Sequence, residues 1–231
     1  MAALLQLEGV SKRFGGVQAV NQVSLEVQPG RVTGVIGPNG SGKTSLFNLI
    51  SGVVRADSGR IVFAGREITH LPPYRINALG IGRMFQLTRL FGQMTALENL
   101  LAVRGSGDVR RAMELLAFVG LDGLAHEYAA NLSYGQQKLV EFVRVMMADP
   151  QLVLLDEPFA GVNPKMEERL IAYIRELLQQ GKTFLLTDHE MPIIMSLCHE
   201  LFVMDSGELI AHGSPAAIRE NPRVIEAYFG R

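Results

Sequence analysis

Apolar and polar positions alternate with period two near both ends of the chain and recur at helical spacing through its middle. Val23, Leu25 and Val27 alternate strictly with polar neighbours, and Leu5, Leu7 and Val10 do so loosely. Both stretches predict half-buried strands. Pro29-Gly30 makes a turn, and Val32-Thr33-Gly34-Val35-Ile36 is a short apolar strand running straight into a glycine-rich loop. Leu46, Leu49 and Ile50 then mark a helix that stops near Gly52. Ser58-Gly59 and Ala64-Gly65 bracket a further alternating strand, Arg60 to Phe63.

From about Leu87 to Pro150 the pattern turns helical. Leu97, Leu100 and Leu101, then Met113, Leu116 and Val119, then Leu139, Val143 and Met146 recur three or four residues apart. Arg104-Gly105-Ser106-Gly107 is a flexible break among them. Strand and helix alternate again afterwards. Leu152 to Leu155 is a buried strand, and Asn163-Pro164 starts a helix, with Asn as N-cap and Pro at the first position. Leu170, Ile171, Ile174, Leu177 and Leu178 trace its apolar face up to Gly181. Thr183–Thr187 and Leu201–Met204 are further strands, and Ser206-Gly207 turns into Glu208–Ala211. Strands separated by helices imply a mostly parallel sheet.

The chain has 231 residues, 48% hydrophobic and 19% charged, enough for a full core and incompatible with wholesale disorder. That length suggests one compact unit carrying a sizeable insertion. A net charge of −1 argues against a protein that coats nucleic acid. No run of about 18 uninterrupted apolar residues is present, so no membrane span is expected. The first eight residues, Met1 to Glu8, lack the basic and long apolar regions of a secretory signal. The single cysteine, Cys198, excludes an internal disulfide and fits a reducing, cytosolic setting.

Gly37-Pro38-Asn39-Gly40-Ser41-Gly42-Lys43-Thr44 fits the phosphate-binding loop, with strand before and helix after. Glycines let backbone N–H groups turn toward phosphate oxygens, and the helix that follows, through Ser45, adds its positive dipole end. Lys43 would reach the β- and γ-phosphates and the Thr44 hydroxyl would hold Mg²⁺. Asp156-Glu157, directly after a buried strand, is placed for the metal shell and for polarising water; alone it could be a solvated acidic pair. Leu132-Ser133-Tyr134-Gly135-Gln136-Gln137 opens a helix and by itself reads as an N-cap.

The order of these segments decides between the readings. Over essentially its whole length the chain resembles the ATP-binding subunits of ABC transporters. The resemblance implies an α/β fold: a P-loop NTPase (RecA-like) core with an antiparallel β subdomain, residues 1–86 and 151–231, and a helical signature-motif subdomain, residues 87–150. It makes Ser133, Tyr134, Gly135, Gln136 and Gln137 the signature motif, which would contact the nucleotide of a second subunit. It makes Asp156 the Walker B aspartate, steadying the metal through a bound water, and Glu157 the catalytic glutamate. Gln86 becomes the Q-loop residue, a metal ligand, and His189 in Thr187-Asp188-His189-Glu190 the switch histidine. Phe14 stands where the adenine-stacking residue is commonly Tyr, Tyr134 where a second glycine is common, and Asn163 where the D-loop often has Asp.

Gly80 to Gln86, Leu90 to Thr95, Ala160 to Pro164 and the tail Asn221 to Gly230 are similar to the subfamily serving branched-chain amino-acid importers and their amide and urea relatives. The helical insertion is shorter than in these relatives. ATP and Mg²⁺ are the implied cofactors. The implied partners are a second ATP-binding subunit, identical or similar, and membrane-spanning permease subunits. A periplasmic or extracellular solute-binding protein would act indirectly, and no nucleic acid is involved. The chain is thus expected to be cytoplasmic, peripheral on the inner face of the cell membrane. Phe85, Leu87, Leu90, Phe91 and Met94 would anchor a cytoplasmic permease helix, some of them being local core. The alternatives are an envelope-lipid exporter, a non-transport ABC machine, or a nucleotide-binding scaffold that switches without turnover. Glu157 and His189 speak against the last.

Overall fold

A computed structural model describes residues 2–103 and 107–229; the expected break at Arg104-Gly105-Ser106 and tail residue Gly230 lie outside them. In chain order the strands are β1 (Leu5–Phe14), β2 (Val17–Val27), β3 (Val32–Ile36), β4 (Ser58–Phe63), β5 (Arg66–Glu67), β6 (Ile81–Met84), β7 (Leu152–Asp156), β8 (Thr183–Thr187), β9 (Glu200–Asp205) and β10 (Glu208–Gly213). The helices are α1 (Lys43–Ile50), α2 (Pro73–Ala78), α3 (Ala96–Leu101), α4 (Val109–Phe118), α5 (Tyr134–Met146), α6 (Pro164–Gln179), α7 (Met191–Leu197), α8 (Pro215–Arg219) and α9 (Pro222–Phe229).

The strands form two sheets. One is antiparallel, in the order β2-β1-β4-β5. The other runs β10-β9-β3-β8-β7-β6, parallel except for the hairpin strand β10 at one edge. The central strands β3, β7 and β8 of the second sheet are fully buried and divide their side chains between two cores. On β7, Val153 and Leu155 join one core while Leu152 and Leu154 join the other. On β8, Phe184 and Leu186 oppose Leu185 in the same way. The second core fills the space around α1 and reaches the antiparallel sheet through Leu5, Leu7, Val23 and Leu25.

The first core is continuous with the helical stretch. Leu100 of α3, Leu116 of α4 and Phe142 of α5 pack in one cluster with Val153 and Phe184. The helical region is therefore a layer on the sheet, with no separate core of its own. Between α4 and α5 only short 3₁₀ turns occur, Asp122–Leu124 and Ala129–Asn131. Local signals place the helix starts: Asn163 accepts from the Met166 N–H at 3.0 Å to open α6, with Pro164 at its first position.

One parallel strand goes beyond the sequence pattern. β6 pairs with β7 at the sheet edge although Gly82 and Arg83 interrupt its apolar character. Gly82 is required by close packing: a Cβ there would lie 2.5 Å from Val145 of α5 and 3.1 Å from Pro150.

Candidate active site

The glycine-rich loop crosses from the end of β3 to the start of α1. Gly42 holds φ at +106°, and a Cβ on it would sit 2.2 Å from the Ala19 oxygen of β2. Gly37 holds φ at +153°, and a Cβ on it would sit 2.1 Å from the Met204 oxygen. Only glycine meets both demands. No side chain caps α1, so the N–H groups of Lys43, Thr44 and Ser45, in its first turn, have no intrahelical acceptor. Buried Ser41 likewise has a hydroxyl without a partner among the described residues. Orphaned donors facing a helix dipole suit a polyanion.

Lys43 is buried and folds over the loop, donating from Nζ to the Gly37 oxygen (2.8 Å) and the Pro38 oxygen (2.9 Å). Burial lowers its pKa, while Glu157 and Asp156 pull the other way. Asn39, Gly40 and Thr44 are exposed, and Pro38 and Ser45 half-buried. Phe14 sits at the tip of the β1–β2 hairpin, 46% exposed, on the hairpin whose second strand touches Gly42.

Asp156 ends β7, and Glu157 follows in the left-handed region with φ 51°. Such a backbone is uncommon for a glutamate and clusters at functional sites. The Glu157 N–H donates to the Thr187 oxygen at the end of β8 (2.9 Å). Its carboxylate gathers two side chains from distant segments: Gln86 Nε2 donates to Oε2 at 2.7 Å, and His189 Nε2 lies 2.7 Å from Oε1. Buried Asp188 shapes the adjoining loops, accepting from the N–H groups of Phe159 (3.0 Å), His189 (2.7 Å) and Glu190 (3.1 Å). Gln86, Glu157 and His189 thus converge on one point; the role of Asp188 carried no sequence signal beyond its neighbour.

Asp156 is not free. Its Oδ2 accepts from Arg83 Nη2 at 2.8 Å, with both side chains buried. Burial raises its pKa, opposed chiefly by the Arg83 charge. Its Oδ1 is buried without a partner among the described residues. An orphaned carboxylate oxygen at the end of β7 and an exposed threonine at the start of α1 are the donor types that suit a magnesium ion held mostly by water and phosphate oxygens. No group of three or more His, Cys, Asp or Glu able to cage a metal occurs among the described residues.

The signature segment starts α5. Ser133 caps it in a reciprocal box, donating from its N–H to Gln136 Oε1 at 2.9 Å. Two more of its side chains are committed within the chain. The Tyr134 hydroxyl donates to the Ala160 oxygen at 3.3 Å, and Gln137 Nε2 donates to the Ala129 and Leu132 oxygens at 2.9 and 3.1 Å. Ser133 stays exposed and Gly135 half-buried. Among the described residues no hydrogen bond joins Ser133–Gln137 to Gly37–Ser45.

Lys138, one residue further, was not foreseen: it is 1% exposed and donates from Nζ to the main-chain oxygen of Gln86 at 2.9 Å. Burial lowers its pKa against the opposing charge of Glu141. Beyond Gln86, Leu87, Phe91 and Met94 are exposed, whereas Phe85 and Leu90 are half-buried. Phe85 is held between the guanidinium groups of Arg83 (4.5 Å) and Arg89 (3.9 Å). No helix among the described residues is long and apolar enough to cross a membrane.

Residues 20–160 match the family described as ABC transporter, and residues 208–231 match the one described as branched-chain amino acid ATP-binding cassette transporter. The chain is 41% identical to the probable branched-chain amino acid transport ATP-binding protein LivG of Archaeoglobus fulgidus, over 98% of this chain and 95% of the relative. It superposes with a TM-score of 0.92 on a crystal structure of an ATP-binding cassette of an ABC transporter in its ADP conformation, at 35% identity and full coverage of both chains. A dimeric post-hydrolysis ATP-binding cassette bound to ADP and phosphate matches with a TM-score of 0.81 and 25% identity, over 91% of this chain and 98% of that one. With that breadth of likeness joined to a phosphate loop, a buried strand ending in Asp156-Glu157 and a capped signature helix, the chain belongs to the ATP-binding cassette family, the ATPase subunits of ABC transporters.

Proposed function

We propose that the chain hydrolyses ATP to power import of branched-chain amino acids or related small amides through a membrane permease. The convergence of Gln86 and His189 on Glu157, beside the uncapped amides of α1, carries this reading. A pure switch needs neither a water-activating carboxylate nor a histidine against it. The solute class follows the curated relative and the match of the last two dozen or so residues.

Residues 1–86 and 151–231 serve as the nucleotide core and 87–150 as the helical layer. Phe14 stacks on the adenine; Pro38 and Asn39 shape the loop, while the N–H groups of Gly40 to Ser45 take phosphate oxygens. Lys43 exchanges its loop carbonyls for the β- and γ-phosphates. Thr44, Gln86 and, through water, Asp156 would hold magnesium, which would supply charge neutralisation on the phosphates. Glu157 accepts a proton from the attacking water; each of its oxygens carries a lone pair beyond the bond it already accepts. The γ-phosphoryl leaves ADP as phosphate. His189 and Gln86 turn from Glu157 toward the γ-phosphate and the metal as the site closes.

Ser133 and Gly135 at the start of α5 face the γ-phosphate of a second subunit, adding a helix N-terminus worth about 0.3–1 kcal/mol to an anion. Tyr134 and Gln137, bonded within their own chain, and Gln136, in the cap, steady that surface. Leu87, Phe91 and Met94 receive a cytoplasmic helix of the permease, which keeps the subunit on the inner face of the membrane. A solute-binding protein acts through the permease.

Glu157→Gln tests the core of this reading. It is expected to keep ATP affinity, lower turnover by at least about 100-fold and form an ATP-dependent dimer on gel filtration. Undiminished turnover would remove Glu157 from its role, and absence of ATP binding by the unmodified chain would end the proposal.

A further inference from the structure

Arg83 is buried, and its side-chain hydrogen bonds go to α1, the cap of α1 and the end of β7. Its Nη1 donates to Asn48 Oδ1 at 2.8 Å and to Ser51 Oγ at 2.7 Å, both on α1 or its cap. Its Nη2 donates to Asp156 Oδ2 at 2.8 Å on β7. Thr44, Asn48 and Ser51 stand four and three residues apart, so they share one face of α1, with Thr44 at the phosphate end. Arg83 therefore spans from the face that carries the Thr44 hydroxyl to the carboxylate that ends β7. Gln86 follows three residues later on the same strand and loop.

The planar fork also divides the work of the Asp156 oxygens. Oδ2 is taken by Arg83, leaving buried Oδ1 without a partner among the described residues. A guanidinium with fixed donor directions sets the carboxylate plane, which a lysine ammonium would not do. The rings of Phe85 and Phe47, 4.5 and 6.0 Å from the Arg83 charge, pack against the fork.

We propose that Arg83 is a positioning residue for the metal site, a rigid spacer that sets the distance between the Thr44 helix and Asp156 and aims Asp156 Oδ1 at the magnesium shell. This deepens the proposed function, since it rests on Thr44, Gln86 and Asp156 holding the ion. Arg83 touches neither nucleotide nor water in this role.

The test is Mn²⁺ titration by electron paramagnetic resonance in the presence of ATP, beside calorimetric ATP binding in chelator, on the full chain. Arg83→Lys keeps the charge but replaces the planar fork by a single nitrogen, which does not fix the Asp156 carboxylate plane. The pair Asn48→Ala and Ser51→Ala removes the footing on α1 while leaving the Arg83–Asp156 pair. Both variants are expected to bind ATP in chelator within about 2-fold of the unmodified chain and to bind Mn²⁺ at least about 10-fold more weakly. Saturating Mg²⁺ should then recover most of the turnover number. Mn²⁺ binding at unmodified strength in both variants overturns the spacer. A loss of chelator-stage ATP binding equal to the Mn²⁺ loss also overturns it, since that marks general damage. If the unmodified chain binds no ATP, the proposed function itself fails, and the two failures are separate.

Discussion

The Lys138 ammonium donates to the main-chain oxygen of Gln86 across 2.9 Å, joining the first turns of the signature helix to the loop that leaves β6. One end of this bond lies in the helix whose start is proposed to face a second subunit. The other carries the amide that reaches Glu157. A change felt at either end has a short path to the other through the buried Lys138 side chain.

Lys138→Met should stay folded, with urea stability within about 2 kcal/mol of the unmodified chain, the order of one hydrogen bond to a charged group. Methionine fills similar volume and removes a buried charge, which offsets part of the loss. Amide hydrogen exchange just after Gln86 should rise and ATP turnover should fall. Exchange at the original rate would show that the bond does not order the loop.

Exposed Phe91 and Met94 predict a separation of activities. Alanine at either position should leave basal hydrolysis by the isolated subunit near its original rate while lowering transport in reconstituted vesicles. Equal loss of both would point to a folding defect instead.

Acid stability has one readable contributor. Lys182 and Arg111 donate to Asp149 Oδ1 at 2.7 and 3.3 Å, and the Lys182 bond leads in holding that carboxyl below its usual range. A depressed folded-state value stabilises fully above the unfolded carboxyl range, near pH 4, and is lost as pH falls through the lower folded value. Asp149 is 70% exposed, so the contribution at pH 7 is about 0.5–1 kcal/mol. Asp149→Asn keeps the left-handed backbone (φ 49°) that asparagine tolerates. Its urea midpoint should fall below that of the unmodified chain at pH 7 and approach it near pH 3; a gap unchanged by pH contradicts the assignment.

Cys198 should be chemically silent in the folded protein. Burial pushes its thiol up to about 12, leaving on the order of one thiolate in ten thousand at pH 8. A disulfide exchange reagent should label it only after denaturation, and fast labelling of native protein would refute this.

The candidate site was legible in the sequence where the residues it would use are contiguous. Gly37 to Thr44 and Asp156-Glu157 announce themselves because phosphate and metal demand particular residue types side by side. The buried supports did not. Arg83 and Lys138 carry charges that normally mark solvent, and their burial is made tolerable by partners 73 and 52 residues away. β6 escaped because four residues containing Gly82 and Arg83 hold no alternation, and α2 because it starts at Pro72-Pro73 and buries only Ile76. Tyr134 in place of glycine looked like a loss of backbone freedom. In the fold its ring lies 3.2 Å from where a Gly161 Cβ would be and its hydroxyl bonds Ala160, so it ties the signature to the loop after Glu157.

Leu152 to Leu155 send alternate side chains into opposite cores and hand the chain directly to Asp156. That makes the strand a ruler whose length is as constrained as its composition. Deleting or inserting a single residue there would swap every side chain to the wrong layer and turn the carboxylate away from Arg83. Conservative exchanges among valine, leucine and isoleucine should pass almost unnoticed, while one codon gained or lost should abolish the protein.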